Sequence, residues 1–503
     1  MSFTSLQFIF VFLPLAYLGF VLAHRYGGAQ QAINLLAAVS LVFYAMFGSQ
    51  LLLILMISMI FNFSAGNVIA CLGKHPKVAK NLLVGSVVVN LALLGYLKYT
   101  NFFVDLTNQI SGTGFAHFNI AVPLGVSFFT FVQIGYLIDA YNGQLLKHDF
   151  ARYIVFTAFF PCVTAGPLVM QREMMEQLED PKSPAFDVRR VTIGLTMFAM
   201  GLFKKVVLAD SIAPFADSVF GSSVSGMSLD QVTAWIGALC YTLQLYFDFS
   251  GYSDMAIGLA TIFAIKLPLN FDSPFKATDI SDFWRRWHMT MTRFFTAYLY
   301  SGMAMYGMRK GMGWGLGRVG RFLMVAALPS IFTFMVAGVW HGSGWTYVIY
   351  GVMHGVAIAT FLWWREFSSV QLPSPLAWLL TMLTVVCGLV MFRAPDVSTA
   401  LNMFGHMWGW LSPNPEQQIL SIDSAQAISM IVIMGAITLL LPNTQQILHH
   451  EWPVVDSKPD ETAAAAGLVA WRPSLGTAFV SACIFTIGIT SIGSSSGFLY
   501  YKF

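Results

Sequence analysis

Three histidines stand out by the segments they occupy. His341 closes an apolar run within VAGVWHGSGW, between Trp340 and Gly342. His354 follows in the next apolar run, four residues after Tyr350 and so one helical turn away. His288 lies in DFWRRWHMT, four residues after Trp284. An imidazole titrates near pH 6.5 (about 6.5 for the unperturbed group), so it can take a proton and return it at working pH. That is the equipment of a general base or acid. A histidine inside an apolar segment is by default a candidate functional group, and the plain alternative is one hydrogen-bonded between helices.

Gly342 and Gly344 permit a sharp break and let a substrate approach the backbone closely. If the chain turns there, His341 sits at the turn and His354 lies about 13 Å along the next helix, at 1.5 Å per residue. The two then do not share one proton. His341 is the candidate base, and His354 shapes or lines a cavity with Tyr350.

The stretch Asp279–Tyr300 predicts one amphipathic helix capped by Asp279 or Ser281. Helical spacing puts Asp282, Arg286 and Arg293 on one face, and Trp284, His288, Met291 and Phe295 on another. The plain reading is an interface helix anchored by Trp and Arg. Acidic residues also fall in apolar surroundings: Asp248 and Asp254 in QLYFDFSGYSDMAIGL, with Gly251 as a break, and Asp210 at the end of GLFKKVVLAD. Buried acids are costly unless paired, and Arg285, Arg286 or Arg393 are the expected partners.

Other chemistries fail on spacing. The chain has no HExxH, no P-loop and no GxSxG elbow. No metal is expected at the three histidines, because no acid sits at a telling offset to support one. The five cysteines form no CxxC pair and read as small buried apolar groups.

The elements that must position these residues are membrane helices. Only 10% of the 503 residues are charged, against about 25% in soluble domains, while 56% are hydrophobic and 15% aromatic. So few charges cannot cover a soluble body of this size, and disordered chains are poor in aromatics. The net charge of +3 carries no basic block, so nucleic acid is not an expected partner. Apolar runs recur from 6–23 and 32–48 through 119–140, 153–169, 232–247 and 254–265 to 474–495. They predict an all-α polytopic membrane protein of about 11 or more spans, plus re-entrant or interfacial helices. The run 6–23 reads as an uncleaved span, since no basic residue precedes it.

Basic residues cluster after alternate runs: Arg25, then Lys74, Lys77 and Lys80, then Lys147 and Arg152. The 98–118 stretch reads as a loop carrying only Lys98 and Asp105. The positive-inside rule then places the N-terminus outside. Segment 443–473, with Glu451, Asp456, Asp460 and Glu461, reads as a polar loop before the last helix. No internal repeat or linker is evident, so residues 1–503 are read as one domain.

Taken together, these stretches resemble the membrane-bound O-acyltransferases, and most of all the bacterial branch that includes alginate O-acetyltransferase and the D-alanyl transferase of teichoic acids. Matching segments are LGYLKYTNFF, VPLGVSFFTFVQIGYLIDAY, FPCVTAGPL, GLFKKVVLAD, LQLYFDFSGYSDMAIGLA, DFWRRWHMT, GVWHGSGW and MFRAPDVSTALNMF. They cover most of the chain. The resemblance puts the family's key histidine on His341, its WH histidine on His288 and its final HG histidine on His354. It puts the aspartate used by the alginate branch on Asp210. It implies acyl transfer to a hydroxyl, through a tunnel that meets a cavity from the opposite membrane face. His341, His288 and Asp210 are then the expected catalytic group. His354, Trp284, Arg285, Trp340, Asp248 and Tyr350 are the expected secondary lining.

The expected setting is a bacterial inner membrane. The donor would be an acyl thioester, either acetyl-CoA or an acylated carrier protein, with no tightly bound cofactor. The expected acceptor is an exopolysaccharide or a periplasmic acyltransferase partner. A transporter or flippase of an acyl or glycan carrier would use intramembrane His, Asp and Arg equally well, but such proteins often carry repeated halves. After Tyr300 the sequence reads SGMAMYGMRKG where relatives of the alginate enzyme carry an IPLGGNR-like stretch. Acceptor choice is the property this departure bears on.

Overall fold

The computed structural model describes residues 1–146, 148–179, 186–222, 227–451, 453–455, 470–494 and 497–499. Among them the chain is all-α, with short π and 3-10 turns and no strand. Seven helical stretches are long and apolar enough to cross a membrane: Phe8–Ala45, Ser49–Cys71, Pro76–Ser111, Val188–Gly221, Arg318–His341, Trp345–Phe367 and Ser374–Arg393. Shorter apolar helices are Val126–Tyr141, Ser424–Leu440 and Leu475–Thr490. Lys147, Asp456, Asp460 and Glu461 lie outside the described residues.

The helix Gln231–Ile262 is the axis of the molecule, and every residue from Cys240 to Phe263 is buried. It joins the two runs 232–247 and 254–265, and Gly251 does not break it. Gly251 instead allows a close helix crossing. A Cβ on Gly251 would lie 2.7 Å from the Gly201 carbonyl oxygen, and one on Gly201 would lie 2.5 Å from that of Gly251. Seven residues along each helix the contact repeats, with Gly194 and Gly258 each within 2.6 Å of the other's carbonyl oxygen by the same measure. Helices in lipid gain little from burying apolar surface against each other, so such close backbone packing is what holds them together.

Other expectations change in detail. Runs 6–23 and 32–48 join into one helical stretch, kinked where Gly28 takes φ 76°. Run 153–169 is a helix only over Phe150–Ala158. The FPCVTAGPL segment beyond it is irregular yet buried, with exposure at Val163 of 2%. Irregular backbone survives at this depth only when protein satisfies it. Here the Ser40 hydroxyl accepts from Phe160 N–H at 3.2 Å, and the Thr290 hydroxyl accepts from Leu168 N–H at 3.1 Å. The polar stretch after Pro442 is not all loop, since Thr444–Ile447 is a turn of helix closed by an Asn443–Gln446 capping box.

Lys98 is the largest positional correction. It lies not in a loop but inside the helical stretch Pro76–Ser111, on the π turn Gly95–Tyr99. The tyrosine-rich run YLKYTNFF keeps its helical hydrogen bonding past the lysine because the ammonium finds partners in the protein interior, described next.

Candidate functional site

The helix Leu328–His341 ends without a left-handed glycine: Gly342 and Gly344 are both extended, with φ −160° and −172°. Its last carbonyls therefore need partners from elsewhere, because a helix end buried away from water cannot leave them unpaired. A neighbouring span supplies them. The Tyr99 hydroxyl donates to the Val339 carbonyl at 2.5 Å, and Lys98 Nζ donates to those of Trp340 and His341 at 2.8 and 2.9 Å. Gly342 has no room for a side chain, since a Cβ there would lie 2.2 Å from the Tyr347 ring.

The break aims the His341 ring into a buried aromatic cage. Its centroid lies 4.8 Å from Trp340, 5.3 Å from Phe392, 6.2 Å from Tyr350 and 6.3 Å from His288. Trp340 is itself held in place, donating from Nε1 to the Ser127 carbonyl at 3.2 Å. Tyr350 stands between His341 and His354, whose ring is 4.7 Å from it.

His288 reaches the cage through a break in its own segment. The expected single helix is two, Ile280–Arg286 and Met289–Phe295, with His288 between them at φ 45°. A non-glycine residue in this region costs of order 1–3 kcal/mol and persists only where its surroundings dictate it. Asn270 dictates it here. Its side-chain oxygen lies 3.0 Å from His288 Nδ1 and accepts from the Thr290 hydroxyl at 3.0 Å, while its carbonyl accepts from Met289 N–H at 3.0 Å. Asn270 is in turn tied to Ser253 Oγ at 3.0 Å.

The break also separates residues that one helix would have kept on a shared face. Trp284 points to His354, donating from Nε1 to its Nδ1 at 3.3 Å. His288 points the other way, 4.7 Å from Phe249 and 6.0 Å from Trp340. Capping by Asp279 and the Asp282–Arg286 ion pair at 2.8 Å are as the sequence suggests.

The buried acids pair with lysines rather than with the expected arginines. Lys205 Nζ bridges Asp210 at 2.7 Å and Asp248 at 2.6 Å, and Asp248 also accepts from Leu499 N–H at 3.0 Å. Lys204 pairs with Asp254 at 2.6 Å. The reason is local. Lys204–Ala209 is a π turn, whose i→i+5 pattern brings Lys205 and Asp210 toward one face. The arginines are engaged elsewhere: Arg285 and Arg286 with Asp282, and Arg393 with Asp217 at 2.8 Å. Asp248 immediately precedes Phe249, so the ionic network adjoins the His288 ring through the backbone of one helix.

His341, His288, Trp340, Tyr350, His354 and Trp284 thus come together as one buried cluster. Arg285 does not join it, and its side chain is 63% exposed. A cavity of about 280 Å³ opens beside the cluster, lined in part by Ser281, Trp284, Arg285, Phe295, Thr333 and Ala337. Two members of the site escaped the sequence reading. Asn270 carries no periodic signal between Pro268 and Pro274. Lys98 did carry one, since a lysine in an apolar run is costly and calls for a function.

The family model for MBOAT, the membrane-bound O-acyltransferase family, matches residues 43–403. A peptidoglycan O-acetyltransferase of Helicobacter pylori is 38% identical, over 81% of this chain and 80% of that protein. The probable alginate O-acetylase AlgI of Azotobacter vinelandii is 33% identical over 100% of both chains. A teichoic acid D-alanyltransferase of Bacillus subtilis is 27% identical over 50% of this chain and 61% of its own.

Proposed function

This chain belongs to the membrane-bound O-acyltransferase family, and from that premise we propose that it moves an acetyl group from a cytoplasmic thioester to a hydroxyl on the far side of the bacterial inner membrane, with His341 as the base. The acceptor is a cell-envelope polysaccharide, or a periplasmic transferase that passes the group on. The names of relatives acting on peptidoglycan and alginate support this class of acceptor. One observation carries the reading: two buried imidazoles, His341 and His288, 6.3 Å apart at a glycine-flanked helix break.

The chemistry needs no resident cofactor. His341 takes the hydroxyl proton as the oxygen attacks the thioester carbonyl. The tetrahedral adduct collapses, the C–S bond breaks, and the departing thiolate recovers the proton from His341. His288, held by Asn270, orients the acceptor or stabilises the charge that develops. Asp210 acts through Lys205, holding the Lys204–Ala209 turn against the central helix. The cavity beside Trp284 and Arg285 is where the thioester arm would enter. Excluding water from this interior limits hydrolysis of the donor.

The test is acetyl content of the envelope polymers in cells lacking the gene, complemented with the wild-type chain or with His341→Ala. Restoration by the wild-type chain alone supports the reading. Equal restoration by both, at equal membrane abundance, rejects His341 as the base.

A further inference from the structure

We propose that Lys98 is a positioning residue for the acyl-transfer step, setting the place of His341 by capping the end of its helix from another span. The inference rests on the reading of His341 as base. Nothing in the reaction itself requires Lys98, yet its surroundings are costly to build. The ammonium is carried on a membrane helix, and its partners are all internal: the carbonyls of Trp340 and His341 at 2.8 and 2.9 Å and the Ser127 hydroxyl at 3.3 Å. Tyr99, the next residue, takes the preceding carbonyl, that of Val339, at 2.5 Å. Two adjacent side chains on one helix thus close three consecutive carbonyls of another.

The geometry explains why a lysine is used. Helix ends carry partial negative charge on their last carbonyls, and the attraction between those carbonyls and a cation is stronger away from water. An ammonium has three protons, enough for two carbonyls and one hydroxyl. A glycine in the left-handed conformation would close the helix by folding the chain back, but Gly342 must stay extended to carry the chain past Tyr347. The usual local cap is therefore excluded, and the cap comes from Lys98 and Tyr99. Both residues lie on the π turn Gly95–Tyr99, a local departure of the kind often found at functional sites.

The same Ser127 that meets Lys98 also fixes the site from a second direction. Its carbonyl accepts from Trp340 Nε1 at 3.2 Å, and Trp340 packs on His341. Lys98, Ser127 and Trp340 thus form a closed frame around the His341 backbone. A shift of about 1 Å in a reacting group can cost about 10²-fold in rate. Loss of the Lys98 cap releases the two carbonyls nearest the base.

The experiment uses the purified full-length protein in vesicles, with acetyl-CoA or acetylated carrier protein and a soluble polysaccharide acceptor. Wild type, Lys98→Arg, Lys98→Met and His341→Ala are compared for kcat, for the KM of each substrate, and for melting temperature. The expectation is a kcat loss of about 10²-fold in Lys98→Met with both KM values retained, beside a lower melting temperature from the two released carbonyls. Lys98→Arg, which keeps the charge and the donors, should recover a clear part of kcat. An unimpaired Lys98→Met, a loss confined to KM or melting temperature, or an arginine variant no better than methionine overturns the inference. If Lys98→Met does not accumulate, Tyr99→Phe decides it: a kcat loss supports the cap, and an unchanged kcat overturns it. An active His341→Ala would instead overturn the reading on which the inference rests.

Discussion

The rings of His288 and His341 lie 6.3 Å apart, tilted by 52°, although the residues are 53 positions apart and each sits at a broken helix end. Neither would reach the other from an unbroken helix. The histidine break is enforced by Asn270 and the glycine break by the packing of Tyr347 under Gly342. Two irregularities in the backbone therefore make one buried pair of imidazoles.

That arrangement ranks the histidines. His288→Ala should lower kcat by about 10²-fold or more, as the loss of a group acting at the reacting centre does. His354→Ala should cost less, because Tyr350 stands between it and His341. Asn270→Ala should follow His288→Ala in direction, since it removes what holds the ring. Single-variant transfer rates at matched abundance check the order. A dead His354→Ala beside a near-normal His288→Ala would invert the assignment.

Lys205 pairs with two buried carboxylates, Asp210 and Asp248, so its loss is a matter of folding before catalysis. Removing one partner of a buried ion pair costs about 3–5 kcal/mol, because the remaining charge has no compensation. Lys205→Met should leave little protein in the membrane, while Asp210→Asn, which keeps Asp248 opposite Lys205, should be better tolerated. Membrane abundance and melting temperature in detergent measure both. A fully stable Lys205→Met would show that the bridge contributes nothing to the fold.

Much of this was legible in the sequence, and the exceptions have physical reasons. Low charge and long apolar runs gave away the membrane class because lipid permits few other compositions. His341 stands out in sequence because it precedes glycines at the end of an apolar run, and it does lie at that helix end. The break at His288 was hidden, because φ 45° is disfavoured for histidine and only a distant Asn270 makes it worthwhile. The lysine partners of Asp210 and Asp248 were hidden by the π turn, which changes the spacing that a regular helix would give. Lys98 lies in a helix and not in the expected loop; a lysine in an apolar run is itself a signal, but its partners, two carbonyls and the Ser127 hydroxyl, cannot be read from its neighbours in sequence.

The proposed orientation has its own test. Cysteine substituted for Lys77, in a background without Cys71, Cys162, Cys240, Cys387 and Cys483, should resist a membrane-impermeant thiol reagent in intact cells and react after permeabilisation. Labelling in intact cells would reverse the sidedness and with it the placing of the donor.

The central claim is that His341 is the base of an O-acyl transfer. The most direct measurement is single-turnover transfer of a labelled acetyl group from thioester to hydroxyl acceptor by the purified protein, wild type against His341→Ala and His341→Gln. A general base contributes about 10²–10⁴-fold, so both variants should lose at least that much while still binding the donor and keeping their melting temperature. Transfer by either variant within about tenfold of wild type would contradict the account.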